Sequence, residues 1–298
     1  MKQVRPKKNL GQHFLTDLSI ARRIADTVDA CPDLPVLEVG PGMGVMTQFL
    51  LEKPRQFKVV EIDRESVEYL KGHFPVFSRK EERGATNEDS FAEEEANLAP
   101  RSSLLVPRPV DTPQIIEGDF LRMDLSTVFD GQPFVLTGNY PYDISSQIFF
   151  KMLDNRDLIP CCTGMIQHEV ALRMAAKPGN KQYGILSVLI QAWYHVDYLF
   201  TVEPSVFNPP PKVQSAVIRM TRNDVRRLGC DEQLFKRVVK TTFNQRRKML
   251  RVSLRQIFDA QHPASAEFFQ QDMMTRRPEQ LTIAEFVELT NLVAAELG

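Results

Sequence analysis

An α/β fold with a doubly wound, mostly parallel sheet and a smaller helical domain behind it is predicted by three observations. Residues 35–39 (PVLEV) form a short apolar strand running straight into Gly40-Pro41-Gly42-Met43-Gly44, with a helix and a second strand, 57–62, after it. Strand, glycine turn, helix, strand is the opening unit of such a sheet. Further strand patterns follow at Ile115-Ile116 and from Phe134, and the composition changes after Pro204. There FNPPPKVQSAVIRM (207–220) reads as a rigid turn feeding a last strand, and 231–298 as helices with basic and apolar faces. The predicted domains are therefore 1–205 and 206–298, with the boundary near 205–222.

Thr16 or Asp17 caps a helix in which Ile20, Ile24 and Val28 recur every four residues. A charged helix starts at Arg64. Residues 75–112 are polar, rich in Glu, Ser and Pro, and without a sustained period, which predicts a mobile surface insertion. The strand from Phe134 ends in TGNYPYDIS (137–145), and a helix over 144–154 follows, capped by Asp143 or Ser145. YHVDYLFTV (194–202) has the composition of a strand.

Composition removes several classes of function. With 43% hydrophobic residues among 298, the chain holds no apolar run near the roughly 20 residues that cross a bilayer. The basic start, MKQVRPKKNLGQHFL, lacks an apolar core, so no secretory signal is expected, and Pro6 argues against a mitochondrial presequence. The cysteines, Cys31, Cys161, Cys162 and Cys230, form no CxxC pair, and the five histidines are scattered. Reduced thiols, a cytoplasmic location and no metal are expected. The net charge of −1 hides a basic block: 13 Lys/Arg lie between Lys212 and Arg255, against Asp224, Asp231 and Glu232. Such a block suits a polyanion, and a solvated helix face is the ordinary alternative.

The glycine turn lets backbone pass close to a ligand where a Cβ would collide. Glu61, at the end of the next strand, is placed to accept the hydroxyl hydrogens of a ribose, and Asp119, after the third strand, to accept from an adenine amine. Each acid alone reads equally well as a cap or loop charge. Three such positions at successive strand ends, where these sheets bind ligands, point to a nucleotide. A dinucleotide and a sulfonium methyl donor both suit them.

The strand end at Asn139 separates the two. An adenine amine is a poor nucleophile because its lone pair is delocalised into the ring. The Asn139 amide oxygen and the Tyr140 carbonyl can accept its two hydrogens and favour a pyramidal nitrogen. Pro141 stiffens the turn, and Tyr142 offers a flat face on which base stacking contributes about 1–3 kcal/mol. Hydride transfer has no use for this arrangement.

Asn-Tyr-Pro-Tyr after the fourth strand resembles the motif of amino-methyltransferases that use S-adenosylmethionine. With KKNLGQHFL (7–15), VLEVGPGMG (36–44), VVEIDR (59–64), FNPPPKVQSAV (207–217) and FNQRRKMLRVSL (243–254), the chain resembles the ribosomal small-subunit RNA adenine dimethyltransferases, the kasugamycin-sensitivity enzymes of bacteria. The resemblance spans nearly everything outside 75–112. It implies a class I S-adenosylmethionine-dependent methyltransferase fold, S-adenosyl-L-methionine as cofactor with S-adenosyl-L-homocysteine as product, and 16S rRNA of the small subunit as partner. It places His13 and Leu15 over the cofactor, Gly40 and Gly42 under it, Glu61 on the ribose, Asp119 on the adenine, and Asn139 between cofactor and target.

The same resemblance offers Phe207 as a second stacking face and Lys212, Arg246, Arg247, Lys248 and Arg251 as RNA contacts. Tyr140 stands where Leu is more usual, a change that could narrow the pocket but leaves the carbonyl available. A monomer is expected. The alternatives are a large-subunit rRNA adenine methylase, a non-catalytic assembly or transcription factor on the same fold, and a dehydrogenase resting on the glycine turn and Glu61 alone.

Overall fold

A computed structural model describes Lys7 and residues 13–78 and 112–298. Most of the predicted 75–112 insertion, and the Lys2, Arg5 and Lys8 part of the basic start, lie outside the described residues. In chain order the strands are β1 (Phe14–Leu15), β2 (Val36–Val39), β3 (Phe57–Glu61), β4 (Gln114–Glu117), β5 (Val135–Asn139), β6 (Cys161–Gln167), β7 (Tyr194–Val202), β8 (Phe207–Asn208) and β9 (Ser215–Arg222). The α-helices are α1 (Leu18–Ala25), α2 (Thr47–Leu50), α3 (Arg64–His73), α4 (Ser145–Asp154), α5 (His168–Ala175), α6 (Ile185–Gln191), α7 (Glu232–Asn244), α8 (Leu250–Ser253), α9 (Ala266–Gln270) and α10 (Ile283–Leu297).

Seven strands form one sheet in the order β4-β3-β2-β5-β6-β9-β7, and β1 pairs with β8 in a separate antiparallel ribbon. From β4 to β6 all pairings are parallel; β9 runs antiparallel to both β6 and β7. The strand order reverses between β2 and β5, so a ligand crevice is expected beyond their carboxyl ends. Strands covered on both faces are buried along their length, and β2 is buried throughout and β5 up to Asn139. Within them alternate residues serve different layers: Val36 and Val135 pack with Ala21 and Ile24 of α1, whereas Leu37 and Leu136 pack with Ile148 and Phe149 of α4.

Asp17 caps α1, accepting from the Ser19 and Ile20 N–H groups, and Asp63 caps α3 through the Glu65 N–H. Neither Asp143 nor Ser145 caps α4: its N-cap is Ile144, and the Ser145 hydroxyl donates instead to the Tyr142 carbonyl at 3.3 Å.

Two sequence expectations change. The predicted split between 205 and 206 would part β9 from the central sheet to which it belongs; the helices follow Arg222, at the far end of the 205–222 boundary region. Strand composition tells that 215–222 is a strand and says nothing of where it inserts. The cysteines are not all reduced: Cys31 and Cys161, 130 positions apart in sequence, are joined by a disulfide. The fold brings the turn after α1 under the start of β6, a proximity that local spacing rules do not see.

The C-terminal helices share the layer behind α4 and α6. Phe235 and Val238 of α7 and Phe286 and Leu289 of α10 belong to one apolar cluster with Leu37, Leu136, Ile148 and Phe149. Arg156, just past α4, pairs with Glu232 of α7 at 2.7 Å while its guanidinium lies over the Trp193 ring, and Lys236 pairs with Asp154 at 2.7 Å. Among the described residues no helix is long and apolar enough to cross a membrane.

Phe235 meets Trp193 edge-on and is fully buried. Phe235→Ala is expected to cost about 3–5 kcal/mol, as large aromatic-to-alanine cavities do. Urea denaturation followed by tryptophan fluorescence and by circular dichroism should show one coincident, lowered transition, because the sheet and the helices share this core.

Candidate active site

A cavity of about 260 Å³ opens at the carboxyl ends of β2, β3, β4 and β5. Its floor is the glycine turn after β2, its sides are Glu61, Ile62, Asp119 and the Asn139–Tyr142 turn, and residues of β1 border it on the remaining side. Of the residues expected to hold a nucleotide cofactor, His13, Leu15, Gly40, Gly42, Glu61, Asp119 and Asn139 all line it.

Glu61 is 4% exposed, and burial raises its pKa above the ordinary carboxylate value. The backbone N–H groups of Gly42, at 3.0 Å, and Asp63, at 2.9 Å, oppose that shift by donating to its carboxylate. A carboxylate has more acceptor sites than these two bonds use. Gly42 meets the requirement only without a side chain: its φ is +55°, and a Cβ would sit 3.1 Å from the Phe14 ring. Asp119 accepts from the Leu121 N–H at 2.9 Å and faces Arg122 at 3.4 Å, so it shapes its own turn as well as bordering the cleft.

The Asn139 side chain is fixed by a bond from its Nδ2 to the His13 carbonyl, at 3.2 Å. That leaves Oδ1 as the amide's other end, and no hydrogen bond among the described residues uses it. The Tyr140 N–H donates to the Met165 carbonyl at 3.0 Å, and no hydrogen bond among the described residues uses the Tyr140 carbonyl. Two acceptors on consecutive residues thus remain at the cleft wall. The Tyr142 hydroxyl bonds to the Ser215 hydroxyl, and its ring stacks on that of His13, centroids 5.4 Å apart. His13 is itself held by a bond from Nδ1 to the Pro209 carbonyl at 2.9 Å.

Three side chains lie away from the cleft or are held by other partners. The Tyr140 ring does not narrow the pocket: it is 1% exposed and points into the core against Phe149. Phe207 is 4% exposed and packs with Leu15, Val202 and Val217; it is not among the residues lining the cleft, because its backbone pairs with Leu15 and turns the ring inward. Arg246 is held by Glu279, at 2.6 Å, and by the Asn180 carbonyl, at 3.1 Å. Lys212, Arg247, Lys248 and Arg251 are exposed.

Two residues of the site carry no clear mark in the sequence. Glu38 lines the cleft, is 1% exposed, and accepts from the Thr47 hydroxyl at 2.7 Å. Burial pushes its carboxyl up to about 8, with the nearby Glu61 adding to the shift. An acid in the middle of an apolar strand was the available signal. Ile62 is 53% exposed at the rim of the cleft, an apolar face next to Glu61. Among the described residues no group of three or more His, Cys, Asp or Glu side chains is placed to hold a metal ion.

A doubly wound, mostly parallel sheet with a cleft at the carboxyl ends of its central strands is the class I S-adenosylmethionine-dependent methyltransferase fold. The family model described as ribosomal RNA adenine dimethylase matches residues 3–83 and 90–294, and the chain belongs to that family. The match leaves out only 84–89 of the expected insertion. The chain is 60% identical over 294 residues to a ribosomal RNA small subunit methyltransferase A of Phocaeicola vulgatus, covering 99% of this chain and 91% of that protein. It is 59% identical to the protein of the same name from Bacteroides thetaiotaomicron, covering 100% and 97%. A crystal structure of a Plasmodium falciparum dimethyladenosine transferase superposes with a TM-score of 0.71 at 21% identity, over 95% of this chain and 98% of that one. The 23S rRNA methyltransferase ErmE superposes with a TM-score of 0.58 at 24% identity, over 92% and 99%. These last two show a shared fold.

Glu38 gives a signed pH dependence. Its folded pKa, about 8, lies above the ordinary 4.5, so its contribution to stability is complete below about pH 4.5 and is lost as pH rises through 8. Glu38→Gln keeps an acceptor for Thr47 and removes the titration. Its melting temperature should therefore gain on the parent steadily between pH 5 and pH 8, as read by calorimetry across that range.

Proposed function

We propose that the protein uses S-adenosyl-L-methionine to dimethylate the N6 atoms of two adjacent adenines near the 3′ end of small-subunit rRNA, in the cytoplasm and as a monomer, releasing S-adenosyl-L-homocysteine. The observation that carries this is the pair of acceptors on consecutive residues, Asn139 Oδ1 and the Tyr140 carbonyl, at the wall of a nucleotide-sized cleft. The names of the 59–60% identical relatives support the small subunit over the large one as the source of the adenines.

The cleft fits the cofactor by its donor set. Glu61 presents a buried carboxylate already oriented by backbone N–H groups, which suits two ribose hydroxyls. Asp119 suits an adenine amine, Ile62 its face, and the glycine turn the aminoacyl portion. Glu38 is a second buried carboxyl whose ionisation a cation in the cleft would favour. When bound, the cofactor supplies a methyl group made electrophilic by a positively charged sulfur.

The chain's own residues do the rest by orientation. A target base must leave its stack, which costs a few kcal/mol. Tyr142 offsets part of that by stacking, its ring held in place by Ser215. Asn139 and Tyr140 accept the two amine hydrogens and turn the nitrogen lone pair toward the cleft; orientation of this kind is a large source of rate acceleration. No side chain need act as a nucleophile. Lys212, Arg247, Lys248 and Arg251 serve as phosphate contacts, while Arg246 acts within the fold.

The decisive assay is transfer of labelled methyl to small subunits lacking the modification, with nucleosides identified after digestion. Dimethyladenosine is the expected product, and its absence would sink the reading. Asn139→Ala should lower transfer roughly 100-fold or more, as loss of a group aimed at the reacting centre does, with RNA affinity unchanged. Arg247→Ala with Lys248→Ala should weaken RNA binding at every sequence and reduce the slope of log affinity against log salt by about 2.

A further inference from the structure

We propose that the Tyr140 side chain is a positioning residue for methyl transfer: buried behind the cleft, it aims the carbonyl of its own residue at the target amine. This rests on the reading of Asn139 and Tyr140 as the amine's acceptors. Tyr140 lines the cleft although the whole residue is only 1% exposed, and its ring packs on Phe149 in the core, which leaves the backbone as the part at the cleft. The two halves of the residue therefore face opposite ways, and whatever fixes the ring fixes the carbonyl.

The ring is fixed at several points. Its hydroxyl donates to the Thr163 carbonyl at 3.0 Å, with the Cys162 sulfur at 3.2 Å. Its own N–H donates to the Met165 carbonyl at 3.0 Å. Both anchors are carbonyls of β6, two residues apart, so the strand grips Tyr140 at backbone and tip. Phe149 of α4, the helix that follows the turn, meets the ring edge-on at 5.5 Å. Burial raises the phenol's pKa well above its ordinary value, which keeps the hydroxyl a donor.

The slot for the ring is made by an absence of side chains. Gly138 of β5 and Gly164 of β6 are direct partners across the parallel pair. A Cβ on Gly164 would lie 2.7 Å from the Tyr140 ring and 2.3 Å from the Gly138 carbonyl, and one on Gly138 would lie 3.3 Å from the ring. Gly164 also has φ +147°, which L side chains rarely adopt. An aliphatic side chain at 140 would fill part of this slot and would offer nothing to the Thr163 carbonyl. That is a physical reason for a tyrosine where the reaction itself uses only a carbonyl.

The test uses the full chain and unmodified small subunits, comparing the parent with Tyr140→Phe and Tyr140→Leu. Removing one neutral hydrogen bond through Tyr140→Phe should lower kcat roughly 3- to 10-fold, with the KM for subunits and the Kd for S-adenosylmethionine within about twofold of the parent. Tyr140→Leu, which also empties the slot, should lose more kcat. A Tyr140→Phe enzyme with parental kcat overturns the proposal. So does a parallel fall in kcat, cofactor affinity and melting temperature, which is what a merely structural role predicts. Should Tyr140→Leu fail to fold, Tyr140→Phe decides alone. Asn139→Ala separates the layers: if it is inactive while Tyr140→Phe is fully active, only the positioning role fails. If the parent itself forms no dimethyladenosine, both readings fall.

Discussion

Burying the Glu61 carboxyl at the carboxyl end of β3 carries a desolvation cost that backbone donors must offset. The two donors come from different places: Gly42 belongs to the turn after β2, and Asp63 to the start of α3. Glu61 therefore ties the ends of two parallel strands and the entry to a helix into one unit. The path of the glycine turn follows from that tie, since the Gly42 N–H reaches the carboxylate only in a left-handed conformation with no side chain toward Phe14. The same glycine brings β1 close. The cleft floor and its N-terminal border thus depend on one buried acid.

From β1 the dependence runs to the other end of the sheet. β1 pairs with β8, the His13 ring bonds to the Pro209 carbonyl, and the His13 carbonyl holds the Asn139 amide. The Pro-rich turn at 207–214 is therefore part of the scaffold that orients Asn139, although 126 residues separate Asn139 from His13. Ser215, the first residue of β9, completes this frame by holding the Tyr142 hydroxyl. It also accounts for Phe207, whose strand pairing with Leu15 sends its ring into the core.

What the sequence disclosed and what it concealed follow the range of the interaction. Gly40, Glu61, Asp119 and Asn139 were legible because strand, turn and helix signals are local, and topology then puts every strand end on one edge. The opposite holds for Tyr140, whose direction is set by Gly164 and Thr163 on the neighbouring strand. Arg246 reads as one more basic residue in a basic run, yet Glu279, 33 residues on, takes its charge. The Cys31–Cys161 disulfide and the insertion of β9 between β6 and β7 depend likewise on pairings that no window of sequence contains. Glu38 sits inside the VLEVGPGMG motif, where an acid within an apolar strand has no local explanation.

Asn139 and Tyr140 share a design that explains their adjacency. Each carries a donor and an acceptor. In each the donor is bound to the scaffold, Asn139 Nδ2 to His13 and the Tyr140 N–H to Met165. For Asn139 the planar side-chain amide then fixes Oδ1 as well. A carboxylate there would also accept, but it has no donor end to be held by and would bring a charge needing further desolvation. For Tyr140 the N–H and the carbonyl belong to successive peptide planes, so the Met165 bond alone does not fix the carbonyl. The buried ring on one side and Pro141, with its fixed φ, on the other restrict what remains. Under the proposed positioning role, Thr163 and Gly164 therefore bear on the aim of an atom they do not touch.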